Sequence, residues 1–106
     1  GLMYGKGRGV TQDYARAVEW FRKTAKQGLA RAQFNLARMY IIGTGVTQDY
    51  VRAHMWFNIA AANGAEYSKK EKDLLAKKMT PEQITKAEGL VKEMIKKNPK
   101  LIKNHE

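Results

Sequence analysis

Few side chains in this sequence of 106 residues could carry out catalysis, and none stands in a catalytic arrangement. The chain has no cysteine, which excludes thiolate nucleophiles, thiolate metal sites and disulfides. Ser68 lies in the stretch Ser-Lys-Lys-Glu, so Glu71 stands where a serine acyl-transfer motif needs lysine. The two histidines, His54 and His105, do not complete a three-ligand metal site. We therefore expect a non-enzymatic protein without catalytic residues, metal or cofactor, with His54 partly exposed on a helix.

A glycine-rich segment at residues 5–9 has the composition of a phosphate-binding loop but not its ending. A P-loop ends in Gly-Lys-Ser/Thr and follows a strand, whereas this segment follows a predicted helix. A similar segment recurs at residues 43–45, which favours a turn between two helices in both places. Asp13 and Asp49 also recur at a matching position, which is typical of helix caps rather than of catalytic carboxylates.

The sequence repeats itself with a period of 36 residues. Aligning residues 1–28 with residues 37–64 gives identity at 15 of 28 positions. A fixed period in the thirties is typical of stacked helix pairs. Strict repetition also predicts that the aromatic residues belong to the core, namely Tyr4, Trp20, Phe21, Tyr40, Trp56 and Phe57.

The complete copy, residues 29–64, predicts a pair of helices. Apolar residues recur at every fourth position from Ala32 to Tyr40, which places them on one face of a helix. The glycines at residues 43–45 end this helix, and Asp49 can cap the next one. The second helix has an apolar stripe and a closing glycine, formed by Ala53, Trp56, Phe57, Ala60 and Gly64.

Residues 65–98 no longer match the repeat and predict a divergent pair of helices. Thr80, Pro81 and Gln83 have the pattern of a capping box with proline at the first helical position. The last helix has a predicted buried stripe at Ile84, Ala87, Val91 and Ile95 or Met94. The remaining segment, residues 99–106, is expected to be a loose tail.

The combined motif consists of Leu36 to Tyr40, Gly43 to Val46, Asp49, Arg52-Ala53, Trp56-Phe57, Ala60-Ala61 and Gly64. It resembles the Sel-one-like repeat (SLR) family, a branch of the tetratricopeptide-type helical-pair repeats. Ala37 replaces the glycine that is usual in the family, and the leading helix of the first copy is missing. The resemblance implies an adaptor that binds other proteins and is not itself an enzyme.

We therefore predict an all-α fold, a short right-handed α-solenoid of antiparallel helix pairs with a C-terminal capping helix. Residues 1–98 form one domain, with a truncated repeat at 1–28, a complete repeat at 29–64 and a capping pair at 65–98. The sequence contains neither a membrane-spanning run nor a signal-peptide pattern. We expect a soluble bacterial protein, and the sequence does not indicate its compartment.

The resemblance also implies where a partner binds. In solenoids of this type the first helix of each pair lines the concave surface, so its positions outside the apolar stripe are free for recognition. These positions are Arg31, Phe34, Asn35, Arg38, Ile41, Tyr67, Lys70 and Leu74. Cations beside apolar residues suit a peptide or partner segment, extended or helical, that carries acidic residues.

The net charge of +10 leaves a second interpretation open. A basic exterior can bind nucleic acid or another acidic surface non-specifically. The basic residues are spread over both halves of the chain and mixed with ten acidic ones, which favours the protein-binding interpretation. A third interpretation is a homodimer through the apolar face of the truncated first repeat, near Leu2, Met3 and Tyr14.

Overall fold

The computed structural model describes residues 6–103, and the side chains of residues 13–103. This part of the chain forms five α-helices and a short 3-10 helix, without strands. They are α1 (Lys6–Lys26), α2 (Ala30–Ile42), α3 (Tyr50–Ala62), α4 (Glu66–Ala76), α5 (Pro81–Lys97) and η1 (Pro99–Leu101). The prediction of an all-α fold is confirmed.

The helices stack in two layers. α2 packs against α1 and α3, and α3 packs against α4 and α5 as well. α2 and α4 therefore form one layer, and α1, α3 and α5 form the other. The molecule is elongated, with extents of 48 × 29 × 23 Å. Its core lies between the layers and includes the fully buried side chains of Leu36, Met55, Phe57 and Ile59.

Glycines and a side-chain cap separate the helices of the complete repeat as predicted. α2 ends at Gly43, whose φ is 82°, and Asp49 caps α3 by accepting a hydrogen bond from the Arg52 N–H at 3.1 Å. Gly45 in the loop has a φ of 73°. A Cβ atom at Gly45 would lie 2.7 Å from the carbonyl oxygen of Tyr14, so only glycine fits between this loop and α1.

The predicted start of α5 is also confirmed. Thr80 Oγ1 accepts a hydrogen bond from the Gln83 N–H at 3.1 Å, and the Thr80 N–H donates to Gln83 Oε1 at 2.9 Å. Pro81 occupies the first helical position. The predicted stripe along α5 has a buried centre at Ala87, and its other members are half-buried.

The first copy does not form the turn predicted at residues 5–9. α1 begins at Lys6 and continues without a break to Lys26, while Gly5 lies outside the described residues. In the complete repeat, packing of α2 against α3 holds the glycine turn, and the described part of the chain contains no helix that packs before Lys6 in the same way. A continuous helix instead satisfies the backbone N–H and C=O groups within α1 itself.

The prediction that all repeated aromatic residues belong to the core is wrong for Trp20. Its side chain is 64% exposed, whereas that of its counterpart Trp56 is 4% exposed. Trp56 lies beside Tyr40 of α2 and Met94 of α5. No described helix corresponds to α2 on the preceding side of α1, so Trp20 stays uncovered. Tyr4 lies outside the described residues.

The segment expected to be a loose tail packs against the repeats as far as residue 103. Leu101 is fully buried, and its carbonyl oxygen accepts two hydrogen bonds. One comes from Nε2 of the buried Gln33 at 3.0 Å and the other from Nδ2 of Asn63 at 2.8 Å. The free energy gained by burying the Leu101 side chain and by forming these two hydrogen bonds outweighs the loss of chain entropy, so the segment is packed and not loose. Residues 104–106 lie outside the described part of the chain.

Candidate partner-binding face

The eight residues predicted to bind a partner all lie on α2 and α4, and all are exposed or half-buried. We call this set the α2–α4 face, and it consists of Arg31, Phe34, Asn35, Arg38, Ile41, Tyr67, Lys70 and Leu74. Their spacing of three or four residues along each helix explains why they point away from the stripe that packs on α3. The structure therefore brings together side chains that are up to 43 residues apart in sequence.

An aromatic cluster lies at the centre of the α2–α4 face. The ring centroid of Phe34 lies 4.7 Å from that of Tyr67, edge to face, and 5.5 Å from that of the buried Phe57. The guanidinium carbon of Arg38 lies 5.9 Å from the Phe34 ring centroid, within the range of a cation–π interaction. Tyr67 is 47% exposed. The cluster therefore presents aromatic surface and a cation side by side, supported from below by the core.

A shallow cavity continues the α2–α4 face towards the end of α2. Ile41 and Leu74 line it together with Tyr50, and its volume is about 230 Å³. Leu74 is 56% exposed, so this apolar surface is open to solvent. Lys78 and Glu71 contribute one charge of each sign to its wall. The cavity is suited to an apolar side chain of a bound segment.

Sequence reasoning missed apolar side chains that border the α2–α4 face on its α1 side. Arg38 shares a cavity with Tyr14 and Phe21, and Arg31 shares another with Trp20. The missed residues are Tyr14, Trp20, Phe21, Leu29 and Ile42. The aromatic members were assigned to the core or to a dimer face because of their place in the repeat. No described helix covers the outer side of α1, and periodicity within the repeat does not reveal this.

The homodimer interpretation stays a prediction. Leu2 and Met3 lie outside the described residues, whereas Tyr14 is 45% exposed. The exposed apolar surface of α1 is compatible with self-association, but it is shared with the border of the α2–α4 face.

His54 does not lie where the sequence predicted. Its side chain is 3% exposed, and Nδ1 has no hydrogen-bond partner among the described residues. The reason is its place in the repeat, since its counterpart Val18 is also buried. Burial lowers the pKa of His54, and the positive charge of Lys72 lowers it further, whereas Glu88 and Asp73 act in the opposite direction.

The buried Ser68 has a structural contact, because its hydroxyl donates a hydrogen bond to the carbonyl oxygen of Phe57 at 2.9 Å. Within residues 6–103, no group of three or more His, Asp or Glu side chains could hold a metal ion. The helices of that same range are too short or too polar to cross a membrane.

Antiparallel helices stacked in two layers, with a glycine loop between the two helices of the complete repeat, define an α-solenoid built from helical repeats. The family model for the Sel1 repeat matches residues 1–29 and 30–64. The chain belongs to the Sel1 repeat family, as the resemblance of its motif predicted. Repeats of this family are generally protein-interaction modules and form a non-enzymatic helical scaffold.

A solved structure is similar to this chain over most of its length. It is the crystal structure of a protective antigen present in uropathogenic Escherichia coli strains, which displays an SLR fold. The two chains are 39% identical with a TM-score of 0.76, and the match covers 91% of this chain. The chain spans about a fifth of the antigen, since the match covers 21% of that protein. The comparison with curated proteins finds no match.

Proposed function

We propose that the α2–α4 face binds a segment of another protein, extended or helical, that carries acidic residues. The chain would then act as an adaptor, without catalysis of its own. The observation that carries this proposal is the contact of Phe34 with both the exposed ring of Tyr67 and the guanidinium of Arg38, on two helices that both pack against α3. Aromatic residues and arginine are the side chains most enriched at the energetic centres of protein interfaces.

The charges of the α2–α4 face support an acidic partner. Arg31, Arg38 and Lys70 are exposed, and none of them belongs to an ion pair in the described part of the chain. An arginine guanidinium can bind a carboxylate with two parallel hydrogen bonds, which gives both affinity and orientation. The apolar surface of Tyr67 and Leu74 would bury the aliphatic or aromatic side chains between the acids.

The test begins with selection of binders from a display library of random peptides, in the presence of nuclease. We expect the selected peptides to be enriched in aspartate or glutamate together with large apolar residues. Their affinity is then measured for Arg38→Glu with Lys70→Glu, which reverses two charges of the α2–α4 face. The matched control is Lys86→Glu with Lys92→Glu, because both lysines are exposed on α5 and the change in net charge is equal.

Reversal on the α2–α4 face should weaken peptide binding by about tenfold or more, while the α5 control keeps its affinity. Equal losses in both variants, or selected peptides without acidic enrichment, would contradict the proposal. A labelled single-stranded oligonucleotide gives the comparison with the nucleic-acid interpretation. General electrostatic binding would weaken with both variants and fall steeply with salt.

Tyr67→Ala is the better variant for testing the apolar contribution. Phe34 packs against the fully buried Phe57, so Phe34→Ala would also remove a contact of the core. Tyr67 is 47% exposed and can be truncated with a smaller effect on stability. A loss of peptide binding in Tyr67→Ala with an unchanged circular dichroism spectrum is the expected result.

A further inference from the structure

A second candidate site lies in the other layer of the solenoid. α1 and α3 both pack against α2, and the space between them forms a cleft of about 640 Å³. The loop that contains Gly45, Val46 and Thr47 borders this cleft, as does Met94 of α5. This volume lies within the range of pockets that bind small molecules.

The floor of the cleft belongs to the core. Tyr40, Met55 and Trp56 line it and are between 1% and 6% exposed. Met94, which is half-buried, adds a flexible apolar side chain. A ligand in this cleft would therefore meet a rigid apolar base that already exists without the ligand.

Cations stand around this apolar floor. Arg22 and Lys26 of α1 and Arg52 of α3 line the cleft. Arg22 Nη2 donates a hydrogen bond to the Tyr40 hydroxyl at 3.2 Å, which fixes the guanidinium at the wall of the cleft. Among the described lining residues, Asp49 is the one carboxylate.

Asp49 does not neutralise the whole cleft, because its two carboxylate oxygens are both engaged at the start of α3. One accepts from the Arg52 N–H at 3.1 Å, and the other lies 3.4 Å from Arg52 Nε. The charges of Asp49 and Arg52 thus balance each other. Arg22 and Lys26 leave two positive charges without a balancing carboxylate on the cleft wall.

The repeat itself does not require these two cations. Arg22 corresponds to Asn58 in the second copy, and Lys26 corresponds to Ala62. Other lining residues, such as Asp49 and Arg52, recur in both copies and have structural contacts. Arg22 and Lys26 are therefore specific to the first copy, and they give the cleft between α1 and α3 a positive charge.

We infer that this cleft binds an oxyanion, a phosphate or carboxylate group, attached to a small apolar body. Arg22 and Lys26 donate charge-assisted hydrogen bonds to the oxyanion, and Trp56 and Met94 contact the apolar part. The site goes beyond the proposed function, because none of the residues that line it belongs to the α2–α4 face.

The experiment uses the fluorescence of Trp56. The chain has two tryptophans, and the other one, Trp20, is 64% exposed, so Trp20→Phe leaves Trp56 as the reporter inside the cleft. Phenyl phosphate, benzoate and the neutral analogue benzyl alcohol are titrated at constant ionic strength. Comparing the affinities of phenyl phosphate and benzoate then shows whether the cleft prefers a phosphate or a carboxylate.

Arg22→Gln with Lys26→Gln removes the two unbalanced charges. The matched control is Arg16→Gln with Lys23→Gln, which removes two exposed cations of the same helix that do not line the cleft. Lys23 lies in the last turn of α1 like Lys26, so the control also loses a cation that favours the helix end. All four side chains are exposed, and both variants should fold.

We expect saturable changes in Trp56 emission with at least one of the two anions, and little change with benzyl alcohol. The cleft variant should bind at least about tenfold more weakly, whereas the control should stay within about twofold. A titration without saturation, equally tight binding of the neutral analogue, or equal losses in the two variants would overturn the inference.

Discussion

The two copies of the repeat are identical at 15 of 28 aligned positions, yet their side chains have different surroundings. Trp56 is 4% exposed and Phe57 is fully buried, whereas Trp20 is 64% exposed and Phe21 is half-buried. The difference lies in the neighbouring helices. α3 packs against α2, α4 and α5, whereas α1 packs against α2 and η1. A repeated aromatic side chain is thus a core residue only where a second helix covers it.

The largest expected effect comes from truncating the two tryptophans. Trp56→Ala should lower the free energy of unfolding by about 3–5 kcal/mol, because it opens a cavity between α2, α3 and α5. Trp20→Ala should lower it by less than about 1 kcal/mol, because most of that side chain is already exposed to water. Urea denaturation followed by circular dichroism measures both. Similar losses in the two variants would mean that Trp20 is covered in solution.

The paired glycines of the two copies test the different starts of α1 and α3. Gly45→Ala should destabilise the protein by about 2–4 kcal/mol, because φ is 73° there and the new Cβ would meet the backbone of Tyr14. Gly9→Ala should stabilise it by about 0.5–1 kcal/mol, because Gly9 lies within α1. Thermal and urea unfolding of both variants decide between a helix and a turn at Gly9. A destabilised Gly9→Ala would indicate that the first copy forms the same glycine turn as the second.

The smallest expected effect concerns His54, which takes the position in the second copy that Val18 has in the first. The pKa of His54 is lowered from the ordinary 6.5 chiefly by burial and then by Lys72, against the opposing charges of Glu88 and Asp73. As pH falls below about 6.5, the unfolded chain binds a proton at this position more readily than the folded chain does. His54 therefore lowers the free energy of unfolding as the pH falls below about 6.5, and it has no such effect at higher pH.

His54→Val copies the residue of the first repeat and removes this titration. We expect the melting temperature of the variant to fall less than that of the original chain between neutral and mildly acidic pH. Circular dichroism melts at several pH values measure the difference. Parallel pH profiles for the two proteins would show that His54 titrates alike in the folded and unfolded states.

The sequence was sufficient where structure depends on local signals. Gly43, Asp49 and Thr80 mark helix ends through the conformation of glycine and the reach of short polar side chains, and the structure places helix ends at all three. The start of α1 and the exposure of Trp20 were not predictable in this way. They depend on whether another helix packs there, which periodicity within the repeat does not reveal.

The two candidate sites also differ in how much of each could be predicted from local sequence signals. Helical spacing placed Arg38 and Tyr67 outside the apolar stripe of their own helices, and the resemblance to the repeat family implied that α2 and α4 present these positions on one surface. The contact of Phe34 with Phe57 needed the position of α4 and α3 relative to α2. The cleft beside Arg22 arises from a gap between two helices, and no local sequence signal marks such a gap.

The hydrogen bond from Gln33 to the Leu101 carbonyl joins residues that are 68 positions apart in sequence. In most repeat proteins each unit interacts only with its neighbours, so the units can form one after another as the chain leaves the ribosome. Here the buried amide of Gln33 lacks this acceptor until residue 101 has been synthesised. The surroundings of this buried side chain on α2 are therefore completed only after α3, α4 and α5 have been synthesised.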